Sequence, residues 1–120
     1  MKHKTSELTG ELLDAAVAKA EGLNWQLREW HGQTVCMADW VPGAPAQTVS
    51  HYQPTRDWYI GGPIIECNLI TVGYDYLHMQ WVSMCHDSRA RPVHAFDYRS
   101  SLTASMRAYV ASKLGEEVEL

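Results

Sequence analysis

Two helical-period stripes, each closed by its own start and stop residues, sit near opposite ends of the chain and bracket a middle that alternates like β-strand; that order restricts the fold most. In the first, Leu12, Leu13, Ala16, Val17 and Ala20 recur on one face between a Thr9 N-cap and a Gly22 stop, with Glu11 favourable in the first turn. In the last, Ser100 caps a helix over 101–114 whose Leu102, Met106, Tyr109, Val110 and Leu114 share a face before Gly115 ends it. Between them, loose alternation over 23–41 predicts two short strands joined around His31-Gly32-Gln33. A longer alternation predicts one central strand over Tyr74–His86, with Leu77, Met79, Trp81 and Cys85 on one face. Asp87 to Pro92 reads as a turn that returns Val93–Tyr98 antiparallel to it.

The remaining segments are set by local chemistry. His3–Leu8 reads as an edge strand. Pro42-Gly43-Ala44-Pro45 opens a loop that extends to about Tyr52. A middle helix is expected to start at Gly61-Gly62-Pro63, with Pro63 at its first position and Ile64, Ile65, Leu69 and Ile70 buried; an extra turn from Asp57 is the alternative start. The acidic tail, 116–120, is expected to fray. Helices interspersed with antiparallel strands predict an α+β fold: a small layered α/β sandwich around a mainly antiparallel sheet, with about three helices.

The 120 residues, 46% of them apolar, suit one domain spanning 1–120, without internal repeats or a linker. No apolar run approaches the roughly 18 residues that cross a bilayer, and the polar N-terminus lacks a secretory core, so a cytosolic protein without membrane partners is expected. Cys36, Cys67 and Cys85 are odd in number and widely spaced, as reduced thiols are. A net charge of −4 disfavours nucleic acid as a partner, although Arg89, Arg91, Arg99 and Arg107 cluster in the last third.

Lys4–Gly10 running into Leu13–Gly22, then Tyr52–Glu66, and then Met106–Gly115 form three segments that together resemble the NinX family of tailed-phage and prophage proteins. The resemblance implies an αβα sandwich and action in the cytoplasm of an infected bacterium rather than in the virion; it implies no reaction. The chain departs from the family's Pro-Ser-Thr-Asp pattern in reading Pro54-Thr55-Arg56-Asp57, and Glu66 is followed by Cys67-Asn68 instead of charged residues.

Candidate chemistry concentrates in the same middle segment. Tyr52, Thr55, Arg56, Asp57, Trp58, Tyr59, Gly61 and Gly62 form an aromatic and polar loop entering a helix. Free amides at a helix start, with an arginine fork and a stacking ring, are the parts that hold a nucleotide-like phosphate. The plainer reading is a Gly-Pro helix start with Trp58 packed inside. Cys85-His86-Asp87 with His78 or His94 offers metal-ligand types at the wrong spacing, so no metal or other cofactor is expected. Cysteine–histidine pairs and the Asp57 and Glu66 carboxylates have no fixed geometry, which makes an enzyme the least favoured reading. Ligand capture by a non-catalytic phage protein, sequestering a phosphorylated defence signal, ranks first. Docking on a host or phage protein through exposed Trp and Tyr ranks second, and a site shared across a homo-oligomer is compatible with both.

Overall fold

The computed structural model describes residues 1–46 and 48–120; Gln47, inside the expected loop, lies outside the described residues. Helix α1 spans Gly10–Ala20. Thr9 occupies the cap position in extended conformation but its side chain makes no cap bond. The far end closes through backbone alone: Gly22 at φ +74 donates to the Lys19 carbonyl, and Leu23 donates to that of Ala18. Those two bonds satisfy carbonyls that the helix leaves unpaired, and they need a residue that accepts a left-handed backbone.

Strands β1 (Lys2–Lys4), β2 (Trp25–Trp30), β3 (Gln33–Ala38) and β4 (Ser50–His51) come from the first half of the chain. The expected pair around His31-Gly32 is β2 and β3, antiparallel from Trp25↔Ala38 to Trp30↔Gln33. His31 and Gly32 both have positive φ, the twist that a two-residue hairpin requires. The expected edge strand over His3–Leu8 is shorter and earlier, because Thr5–Glu7 turns into a 3-10 helix.

Helix α2 spans Trp58–Cys67, which corrects the expected start at Gly61-Gly62-Pro63. Asp57 is the N-cap, its Oδ1 accepting the Tyr59 amide at 2.9 Å, so the alternative start is the one adopted. Pro63 therefore lies inside the helix, and Leu69, expected on the buried side, is exposed beyond its end.

The expected central strand over Tyr74–His86 is a hairpin instead, β5 (Thr71–Asp75) and β6 (Gln80–His86). The Asp75 carboxylate accepts the Leu77 and His78 amides and Met79 takes positive φ, so the polar–apolar alternation runs straight through a turn. Leu77 and Met79 project into solvent there, while Trp81, Ser83 and Cys85 keep one face. Strand β7 (Pro92–Asp97) returns along β6 as expected, completing a β5-β6-β7 sheet. Helix α3 spans Ser101–Leu114, with the Ser100 hydroxyl accepting the Thr103 amide and Gly115 at φ +91 ending it.

The tail does not fray. Glu117–Glu119 forms β8 against β1, setting Lys2 opposite Glu119 and Lys4 opposite Glu117 and burying Val118. The ladder to β1, the burial of Val118 and the ion pair between the Met1 ammonium and Glu119 Oε1 at 2.7 Å hold the acidic tail down.

The fold is α+β, with three α-helices and three small antiparallel sheets among the described residues. Its layer order differs from a helix–sheet–helix sandwich: the helices are central. Sheet β5-β6-β7 lies on α3, α3 packs on α1, and β2 and β3 cover the other side of α1. Leu13, Val17, Met106, Tyr109 and Val110 fill the space between. The expected single stripe on α3 is too narrow, since Thr103, Ala104, Ser105 and Ala108 are buried as well. The small residues allow close approach, and Ser105 meets Ser83 of β6 hydroxyl to hydroxyl at 3.0 Å.

Candidate binding groove

Four rings from separate parts of the chain converge on one concavity of about 800 Å³. Trp40 follows β3, Tyr52 follows β4, and Trp58 and Tyr59 open α2. Each is placed by its element. The Trp40 indole N–H donates to the His51 carbonyl at 2.8 Å, and the Trp40 ring stands 6.1 Å from that of Tyr52 and 6.4 Å from that of Tyr59. Tyr52 is buried, its amide bonded to the Cys36 carbonyl, whereas Trp58 and Tyr59 stand at the rim, 56% and 77% exposed. Leu23, Pro42, Pro63 and Ile64 supply aliphatic wall.

The polar side of the groove is acidic. Glu21, the C-cap of α1, lines it and accepts the Tyr109 hydroxyl at 2.7 Å through Oε2. Burial pushes the Tyr109 and Tyr52 phenols up, and the nearby Glu21 charge adds to both, so each stays a neutral hydroxyl. Cys67 and Asn68, at the carboxyl end of α2, also line it, and among the described residues the lining contains no Lys, Arg or His.

The structure divides the eight residues singled out in the sequence. Tyr52, Trp58 and Tyr59 line the groove; Thr55, Arg56, Asp57, Gly61 and Gly62 do not. Thr55 is buried, its amide donating to Asp14 Oδ1 at 3.0 Å while its own hydroxyl has no partner within bonding distance among the described residues. Arg56 is exposed on the Asp14 side. Asp57 closes the helix start with its own carboxylate, which occupies the place an anion would take. Gly61 is a packing residue: a Cβ there would lie 2.5 Å from the Pro54 carbonyl oxygen and 2.8 Å from Leu102 Cδ2. Gly62 has room, with Trp58 Cε3 at 3.9 Å. The free-amide arrangement expected at Gly61-Gly62 is thus absent, because the helix begins one turn earlier.

Sequence reasoning missed Trp40, Glu21 and Cys67. Trp40 beside Pro42-Gly43 was the available signal, since a large ring entering a rigid loop often walls a pocket.

A second concavity of about 1000 Å³ lies between the N-terminal segment, β7 and the end of α3. Its charges are mixed and largely engaged. Arg91 pairs with Asp87 at 3.0 Å, and Arg107 is pinned by the Leu8 and Phe96 carbonyls and Asp97. Among the described residues no three His, Cys, Asp or Glu side chains converge as a metal set, and no helix is long and apolar enough to cross a membrane.

Fold and groove together define a small α+β domain whose sequence segments of interest meet in space: Asp14 of α1 holds Thr55, Leu102 of α3 packs on Gly61, and Arg107 of α3 reaches Leu8. The sequence model described as "Bacteriophage P22, NinX" matches residues 4–113, and the chain belongs to that phage family. Comparison with curated proteins finds no match.

Proposed function

We propose that this phage protein is a non-catalytic accessory factor that works in the cytoplasm of the infected bacterium by docking on a host or phage protein through the aromatic groove. One observation carries the reading: four rings are gathered on one open concavity, two of them at its rim in solvent. Rigid aromatic side chains provide large contact area at small entropic cost, and they dominate the energetics of protein interfaces. The phosphate-capture reading has less support, because a phosphate in this groove would face Glu21 and meet no cation, and Arg56 is elsewhere.

Affinity capture from infected-cell lysate, compared between the wild type and Trp58→Ala, tests the proposal beside calorimetry with a nucleotide panel that includes cyclic and ADP-ribose derivatives. The expected result is one protein retained by the wild type and lost with Trp58→Ala, and no heat from any nucleotide. Saturable nucleotide binding that Trp58→Ala abolishes would restore the small-ligand reading. Capture indifferent to both Trp58→Ala and Tyr59→Ala would remove the groove from consideration.

A further inference from the structure

We infer that the groove selects positive charge, and that the docked protein presents an arginine or lysine side chain to its rings and to Glu21. The inference rests on the groove being the working surface and adds the chemistry of what enters it.

Three sources of negative potential converge there. The faces of Trp40, Tyr52, Trp58 and Tyr59 carry the negative lobe of the ring quadrupole, which attracts ammonium and guanidinium groups. Glu21 contributes a full charge. Its Oε2 is occupied by the Tyr109 hydroxyl, whereas Oε1 accepts no bond from the described residues. Glu21 caps the carboxyl end of α1, so that helix brings the negative end of its dipole to the groove, whereas α2 lies along it, with Trp58 and Tyr59 at its amino end and Cys67 and Asn68 at its carboxyl end, and adds no net sign. No basic lining residue offsets them, and the Tyr52 and Tyr109 phenols remain neutral donors. The net charge of −4 draws a basic partner at longer range.

The shape favours a side chain carried on a polypeptide over a free cation. A guanidinium fills only a small part of an 800 Å³ trough, and the exposed rim of Trp58 and Tyr59 extends contact to the residues flanking it. Apolar neighbours of the basic residue would cover Leu23, Pro63 and Ile64, while the charge lies over the rings.

A pair of short leucine-containing peptides, one with arginine and one with the neutral near-isostere citrulline, tests the charge requirement on the intact chain. Binding is read by tryptophan fluorescence and by the rate at which a thiol reagent labels Cys67, since Cys36 and Cys85 are buried. The arginine peptide should bind about tenfold more tightly than the citrulline peptide and slow Cys67 labelling. Added salt and Glu21→Gln, which keeps an acceptor for Tyr109, should each weaken it several-fold, and Trp58→Ala should abolish it. Equal affinity for both peptides, lost with Trp58→Ala, would overturn the charge inference and leave the groove standing. Binding of neither peptide, or binding unaffected by Trp58→Ala, would overturn both. N-acetylarginine amide binding as tightly as the peptide would show a seat for a free cation and overturn the assignment to a partner protein. Tighter binding of AMP would reverse the sign of the charge preference.

Discussion

Adjacent glycines in α2 should respond unequally to the same substitution. Replacing glycine by alanine inside a helix ordinarily stabilises it by about 0.5–1 kcal/mol, because the unfolded chain loses freedom that it would otherwise forfeit on folding. At Gly62 the nearest atom to an added Cβ, chain neighbours aside, is Trp58 Cε3 at 3.9 Å, but Pro63 follows and disfavours helical backbone for a residue that carries a Cβ, so gain and cost roughly cancel. At Gly61 the Cβ meets the Pro54 carbonyl oxygen at 2.5 Å and Leu102 Cδ2 at 2.8 Å. Leu102 can rotate its terminal methyl, but the Pro54 oxygen is backbone in a buried segment that Thr55 ties to Asp14. Overpacking of this kind costs about 1–3 kcal/mol, and a backbone obstacle puts Gly61→Ala at the upper end. After subtracting the helix gain, Gly61→Ala should lose about 2 kcal/mol, and with Gly62→Ala near neutral the two variants should differ by about 2 kcal/mol. Urea unfolding followed by circular dichroism measures this directly, with the m-value unchanged. At roughly 4 °C per kcal/mol for a domain of this size, melting temperatures should separate by about 8 °C. Gly61→Ala as stable as the wild type, or Gly62→Ala falling alongside it, would refute the packing role assigned to Gly61.

Further outcomes follow from the buried polar groups. Asp14 is 2% exposed, and burial raises its carboxyl from 3.8 to about 6 despite the Thr55 amide. The folded chain therefore holds that proton more tightly than the unfolded chain does. The stabilising contribution is complete below the unfolded value near 3.8 and disappears as pH climbs through about 6. Relative to Asp14→Asn, which keeps an acceptor for Thr55, the wild type should lose about 2–3 kcal/mol between pH 4 and 7. Paired urea titrations at each pH check this, and a pH-independent difference would contradict it. Arg107 donates from Nε to Leu8 and from Nη1 to Phe96 and Asp97, so Arg107→Lys keeps the charge but loses the fork; a loss of about 1–3 kcal/mol in the same assay is expected. Cys36, whose thiol burial pushes up to about 12, should resist a thiol reagent under native conditions while Cys67 reacts, as mass spectrometry of the labelled chain would show.

Features decided within a few residues were the ones legible in the sequence. The Gly22 and Gly115 stops, the Ser100 cap and the His31-Gly32 turn depend on local backbone geometry, and all stand where the residues indicated. The errors at Gly61 and in the tail have long-range causes, whereas the one at Asp75 is local. Gly61-Gly62-Pro63 carries the marks of a helix start, yet Gly61 answers to Pro54 and Leu102, contacts that no local window contains. Tyr74–His86 alternates through its turn because Asp75 can close one without a glycine. The tail became a strand because its partner lies at the other end of the chain. The groove shows the same division: Tyr52, Trp58 and Tyr59 are neighbours in sequence, whereas Trp40 and Glu21 join them only through tertiary packing.

The position of α3 between the β5-β6-β7 sheet and α1 governs how the molecule can come apart. An outer sheet can lift at its exposed side while the rest holds, but the turn from Met106 to Val110 is wrapped by neighbours on both flanks and cannot meet water until they part. Deuterium uptake at those amides should consequently run at the rate of whole-molecule opening, slowest in the chain, with the β5–β6 tip exchanging far sooner. The interior helix thus acts as the clasp of the fold, and its protection provides the scale against which loosening at the groove can be measured.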